Sequence, residues 1–380
     1  MSDPAGGGRS HDSSVAGVQP EQSVSSGGLA VSARWRTRAR APRWLVPAVK
    51  TVIGAVVVWG VGRHVARVWS NLEGHDFALA VNPARLVSSG LLYLAGLSCC
   101  GAFYASILRA SPTPIGLGPA LRAYLVSHLG KYVPGKAMVV VMRAGMSVPF
   151  GARATTAAIA TFYETLVMMA SGSVVAAVVF AQAGDSPPIR MPMLGGGTVE
   201  VPVDRAAVLL ALGLAACFLT IVAPPVFRRL ARLVADPIAG AEAEVVPRLS
   251  PGLLVRGLIG TTAGWVLMGL SQLEAACAFS PAPSSRVVEL LPIAVASVAL
   301  ATVAGFAVPV LPGGLGVREG VLMYTLGPAL GDRLAVAAAL ALRLVWIAAE
   351  LLAAAFLVPL GVWMRGGSGG PERSGARPQS

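Results

Sequence analysis

The feature that most constrains this chain is a recurring apolar run of about 18 residues or more, long enough to cross roughly 30 Å of hydrocarbon as an α-helix. Such runs fall at about residues 45–62, 86–108, 154–181, 206–227, 253–279, 288–310 and 334–361. They are continuously apolar and do not alternate, which selects helices over a β-barrel. The chain therefore reads as an all-α, polytopic transmembrane helix bundle of about seven spans. Only 13% of its residues are charged, against about 25% in a soluble domain, as expected where lipid is the main solvent.

The net charge of +12 would point to nucleic acid in a soluble protein. Here most Lys and Arg residues sit in loops and tails rather than in one patch with interleaved aromatics, and the positive-inside bias accounts for them. About twice as many lie on the face shared with the N-terminus as on the other face. That places the N-terminus in the cytoplasm and, with seven spans, the C-terminus on the opposite side. Residues 1–42 lack apolar periodicity and read as a disordered basic tail, and Arg34, Arg36, Arg38, Arg40 and Arg43 sit just before the first apolar run. Residues 43–363 form the membrane domain, and 364–380 a second short tail. Cys99, Cys100, Cys217 and Cys277 lie in apolar runs at no metal or haem spacing.

Two connections do not read as plain loops. In the first, 114–149, Leu117, Leu121, Leu125, His128 and Tyr132 fall on or near one helical face. Pro134 then breaks that helix. The apolar stretch 137–142 that follows is too short to span. The second, 311–332, opens Pro312-Gly313-Gly314 and continues into a short apolar stretch. Both look like re-entrant segments, which survive at membrane depth only where they line a cavity or are buried in protein. In transporters, broken segments of this kind point to the binding site. Val133-Pro134-Gly135 faintly resembles Leu311-Pro312-Gly313, and four spans separate the two, which would put both breaks on the same face.

The first break carries Gly130-Lys131-Tyr132-Val133-Pro134-Gly135-Lys136, with Arg143 downstream and no acid anywhere in 109–153. Lys binds phosphate as a point charge and Arg as a bidentate fork. The second break carries Pro312-Gly313-Gly314-Leu315-Gly316-Val317-Arg318-Glu319, a tight turn feeding a helix N-terminus, which favours anions. The bland alternatives are positive-inside charge for the first motif and a self-neutralising Arg318–Glu319 pair for the second. Inside the spans lie Lys50, Glu164, Arg256, Glu274, Arg343 and Glu350. Each costs roughly 3 kcal/mol or more at the bilayer centre and needs a partner or a wet cavity. Lys50 and Arg256 sit near span ends and can snorkel. Arg343 and Glu350 are two helical turns apart, so each must reach another helix or a ligand. No nucleophile elbow, Walker sequence or metal motif is present. Nothing therefore points to a catalytic centre, a cofactor or a metal.

On these residues the chain resembles the lysylphosphatidylglycerol synthase transmembrane-region family, the flippase-like membrane domain of multiple peptide resistance factor proteins. The likeness rests on the two Gly/Pro motifs, the order of spans, the Glu164 region and Arg343, over about 45–362. It implies a bacterial inner-membrane protein that moves aminoacylated or anionic phospholipid between leaflets. Lys131, Tyr132, Pro134, Gly135, Lys136, Arg143, Pro312, Gly313, Gly314, Gly316, Arg318 and Glu319 would bind the head group. Glu164, Arg343 and Glu350 would serve as intramembrane polar residues. The chain ends shortly after the last span, so the expectation is a membrane domain without the family's synthase domain and without lysyltransferase activity. At Ala137-Met138 the chain departs from the bulkier continuation that is usual in the family. The implied partners are membrane lipids. Two other readings remain: a subunit docked to a separate lipid-modifying enzyme such as a synthase or glycosyltransferase, and a lipid-phosphate transferase.

Overall fold

The structure, a computed structural model, describes residues 59, 81–133, 137–182, 189–192, 198–201, 203–239, 247–307, 314 and 316–366. All belong to one unit of the chain, Thr51–Ser380. Apart from Trp59, the span at 45–62 lies outside the described residues, as do Pro134, Gly135, Lys136, Pro312 and Gly313.

In chain order the helices are α1 (Pro83–Arg109), α2 (Leu117–Ser127), α3 (Ala137–Ser147), α4 (Ala154–Gln182), α5 (Val203–Val222), α6 (Pro224–Ala239), α7 (Pro251–Cys277), α8 (Val287–Ala307), α9 (Val317–Leu330) and α10 (Asp332–Gly366). A short antiparallel hairpin, β1 (Ile189–Pro192) with β2 (Thr198–Val201), sits in the α4–α5 connection with Ile189 opposite Val201. The fold is an all-α polytopic bundle. Five helices, α1, α4, α7, α8 and α10, are long and apolar enough to cross a membrane. Their outer faces carry large apolar side chains, with Phe356 74% and Leu352 70% exposed. In water such faces would aggregate; in lipid they are the expected surface.

Two helix starts follow from local chemistry. Asn82 accepts from the Ala84 N–H and Ser250 from the Leu253 N–H, and a proline follows each cap, where its missing N–H costs nothing. The helices so started, α1 and α7, run antiparallel over their full length. The Asn82 N–H donates to Ala278 at one end (2.8 Å), and the Arg248 N–H donates to Ala110 at the other (3.2 Å). They cross at Gly96 and Gly264, where a Cβ on either would lie 2.9 Å from the other's carbonyl oxygen. This is the close backbone approach that small residues permit in membranes. Arg85 pairs with Glu274 at 2.7 Å near one end of the pair.

The expected fourth span, 206–227, is bent. It breaks at Ala223-Pro224-Pro225, and the chain turns by 70° into α6. There Phe227 and Ala231 face the core, while Leu230 and Leu233 are exposed on the same helix as Arg228, Arg229 and Arg232. Such a helix suits the interface plane.

The first broken segment is a hairpin. α2 enters beside the C-terminal end of α1, a 3-10 turn at His128–Tyr132 forms its tip, and α3 returns. The tip reaches Tyr93, whose Oη accepts from Lys131 Nζ at 3.2 Å. Tyr93 lies sixteen residues, about 24 Å, from the end of α1. The buried face of α2 differs from the one its leucines predict. Ala120, Ala123, Tyr124 and Ser127 face inward, Leu117 is exposed, and Leu121 and Leu125 are half-buried. In lipid a large apolar face need not turn inward, and small residues with satisfied polar groups make the packing surface.

The second broken segment departs from expectation in a different way. α9 runs antiparallel to α8. Its start packs Arg318 against Gly305, near the end of α8, and its end packs Ala329 and Leu330 against Leu290 and Leu273, near the start of α8. The chain therefore returns to the end of the bundle where α8 began, and α10 crosses back. There Arg122 of α2 donates to the carbonyls of Leu357 (2.7 Å) and Val358 (3.2 Å). Two expectations are corrected. The two breaks enter from opposite ends of the bundle rather than the same face. The far end of α10 lies at the end where α1 finishes, not opposite it. Hydropathy does not register this return because α9, at 14 residues with Arg318 and Glu319 in its first turn, is short and polar.

Candidate functional site

Where the two broken hairpins meet, they and α4 enclose a cavity of about 460 Å³. The first hairpin contributes His128, Lys131 and Arg143; the second contributes Gly305, Gly314 and Arg318. The rest of the wall is largely apolar, including Val139, Val140, Leu166, Met168, Met169 and Phe306. Phe162 also lines it and is 55% exposed. It sits eight residues, about 12 Å, inside α4, so the cavity opens on the side of the bundle.

Three buried ion pairs surround this space. Arg143 and Glu164, each 1% exposed, meet at 3.0 Å. Arg143 Nε also donates to Ser127 Oγ (3.0 Å), and the Tyr124 hydroxyl donates to Glu164 Oε1 (2.9 Å). The Arg143 guanidinium lies 4.0 Å from the Tyr124 ring centroid and 5.2 Å from that of Tyr104, a desolvated cation–π stack. Lys131 pairs with Glu350, whose same carboxylate oxygen accepts from the Tyr93 hydroxyl. The Tyr93 ring stacks on Trp346 at 4.1 Å, and the Trp346 indole N–H donates to Ser271 Oγ (3.0 Å). Arg343 pairs with Glu319, whose other oxygen accepts from the Gly316 N–H at 2.8 Å.

Glycine shapes both tips. A Cβ on Gly130 would lie 2.7 Å from the Val139 nitrogen, so the Lys131 turn can stack directly on the first turn of α3. Gly314, at φ 69°, and Gly305 make the slot for Arg318. A Cβ on Gly305 would meet Arg318 Cγ at 2.7 Å, and one on Gly314 would meet the Gly305 Cα at 3.0 Å. Arg318 Nε and His128 Nδ1 are buried and make no hydrogen bond among the described residues.

Of the residues the sequence singles out, Lys131, Arg143, Gly314 and Arg318 line the cavity. Glu164, Glu319, Arg343 and Glu350 hold its walls through ion pairs. Tyr132 is buried in the packing beneath the Lys131 ammonium, 5.1 Å from ring centroid to Nζ, and Gly316 is exposed at the start of α9. The acid-free character of 109–153 is only local, because Glu164 and Glu350 arrive from other helices. Likewise Glu319 pairs with Arg343, not with its neighbour Arg318. Tyr93, Tyr124 and Ser127 also belong to these networks, outside any motif in the sequence. Their one signal is a polar tip inside an apolar run, since a buried tyrosine hydroxyl generally finds a partner.

Fold and site together define a polytopic helical membrane protein with a laterally open, cation-lined internal cavity. The sequence matches no protein-family model and no curated protein.

Proposed function

We propose that this protein is a lipid carrier of the flippase type, resident in a bacterial inner membrane with a cytoplasmic N-terminus. Its cargo is an anionic or aminoacylated phospholipid or a related envelope lipid. The observation that carries the reading is the convergence of Lys131, Arg143 and Arg318, from two hairpins entering from opposite ends, on one cavity with a lateral mouth. A head group enters sideways at Phe162 while its chains stay in the bilayer. Broken helices meeting inside a bundle are the geometry in which transporters hold anionic groups. The volume suits a head group, since ligand sites commonly run to about 300–1,000 Å³. The likeness of the two Gly/Pro motifs to the lysylphosphatidylglycerol synthase transmembrane-region family supports the same reading.

The test is lipid movement in vesicles reconstituted with purified protein. Wild type is expected to speed exchange of a labelled anionic lipid between leaflets, and Arg318→Ala to abolish most of that gain at equal protein content. Full exchange by the variant would remove the cavity from the mechanism.

A further inference from the structure

We infer that the cavity selects a head group with a single negative charge and no ammonium, an unmodified phosphodiester of the phosphatidylglycerol kind, and that Arg318 is the residue that reads it. This rests on the carrier reading above and narrows it, because it excludes aminoacylated lipid as the preferred occupant.

Charge on the cavity wall decides the selection. Among the described residues three cations line the cavity: Lys131, Arg143 and Arg318. Lys131 is neutralised by Glu350 and Arg143 by Glu164. Glu319, next in sequence to Arg318, is taken by Arg343 and the Gly316 N–H. Arg318 is left as the lining cation with no carboxylate beside it among the described residues, and its Nε has no hydrogen-bond partner there. A buried charge without a counter-charge is unfavourable, and one incoming anion removes that cost. A second charge on the ligand would find no further unpaired lining cation among the described residues.

The same count argues against an ammonium. Both oxygens of Glu164 are engaged, by Tyr124 and by Arg143. Glu350 does not line the cavity; its Oε1 is held by Lys131 and Tyr93, and although its buried Oε2 has no hydrogen-bond partner among the described residues, its charge is already balanced by Lys131. An aminoacyl group would bring positive charge to a space that already carries a net positive charge. His128 adds the complementary acceptor. The residue lines the same space and its Nδ1 has no hydrogen-bond partner among the described residues; a neutral imidazole nitrogen accepts from a hydroxyl when the ring proton sits on the other nitrogen. A glycerol hydroxyl supplies that donor.

The experiment uses the full chain in neutral detergent. Native mass spectrometry and thermal melting are recorded with phosphatidylglycerol, with lysyl-phosphatidylglycerol and with sodium phosphate, each alone. Phosphatidylglycerol is expected to be retained and to raise Tm. Lysyl-phosphatidylglycerol should bind about ten- to a hundredfold more weakly, the worth of one charge-assisted hydrogen-bond set. Phosphate at the same concentration should do nothing. Arg318→Gln should erase the preference while keeping a lipid-free Tm at or above wild type, and Arg318→Lys should keep the preference with lower affinity. Equal or tighter retention of the lysyl lipid overturns the charge selection and leaves the carrier reading standing. Protection by phosphate as large as that by lipid makes the occupant a soluble anion and overturns both. Indifference of wild type and Arg318→Gln alike to every lipid also overturns both.

Discussion

Arg143 and Arg318 are the same residue type in the same cavity wall, yet removing them should move stability in opposite directions. Arg143 is held by Glu164, Ser127 and the Tyr124 ring. Arg143→Met strands the Glu164 carboxylate in a dry interior and should cost about 3–5 kcal/mol. Pairing it with Glu164→Met should recover most of that loss, because a well-packed apolar pair replaces a buried ionic one at little net cost. Melting of the three variants in detergent checks this; a wild-type Tm for Arg143→Met alone would show that the pair is not made. Arg318 has no carboxylate to strand among the described residues, and its Nε is buried without a hydrogen-bond partner there, so Arg318→Met should raise the lipid-free Tm by a few degrees, roughly 1 kcal/mol or more. At this scale the sequence is informative about which residues matter. A charge inside an apolar run announces its own cost, and Glu164, Arg343 and Glu350 are found that way. Their partners are not legible: Lys131 and Glu350 are 219 positions apart, and no local pattern links them.

At the scale of elements, close approach rather than propensity sets the packing. Gly264 and Gly260 are one helical turn apart on α7. A Cβ at Gly264 would press on the Gly96 carbonyl, while at Gly260 nothing lies within 4 Å. Gly264→Leu should therefore push α1 and α7 apart and cost about 1–3 kcal/mol or more, with Gly260→Leu close to neutral in the same melt. A parallel contrast tests the second hairpin. Gly305→Ala intrudes on Arg318 Cγ, whereas Gly320→Ala meets nothing within 4 Å. Lipid retention should fall in the first variant and hold in the second; equal retention would show that the slot does not position Arg318. The sequence reveals both breaks through Pro and Gly and so places the hairpin tips. It does not reveal which way the chain leaves α9, because a helix of 14 residues with two charges in its first turn falls outside the hydropathy signal. Nor does leucine spacing give the buried face of α2, since lipid and core attract the same side chains.

For the whole molecule, two hairpins entering from opposite ends and meeting at one cavity are the arrangement from which a carrier can expose a single site alternately to each side. The topology is open to a direct check. With the four native cysteines replaced by Ala, cysteines at Thr113, in the α1–α2 connection, and at Val358, in the last turns of α10, should react with an impermeant maleimide from the same side of the membrane. Labelling from opposite sides would refute the path assigned to α9 and α10.

That path also sets the order in which the protein can be made. α9 is a poor guest for lipid: it is short, it opens with Arg318 and Glu319, and the partner of Glu319 is Arg343, 24 residues further along the chain. A nascent chain leaving the ribosome in sequence cannot commit α9 to the bilayer when it first appears. The segment must wait at the insertion machinery until the first half of α10 has emerged, and the two must then enter together against α8. The last third of the bundle is in this sense a single cargo of biosynthesis. A stop codon or ribosomal pause placed between Leu330 and Arg343 should leave α9 outside the membrane and exposed to proteolysis.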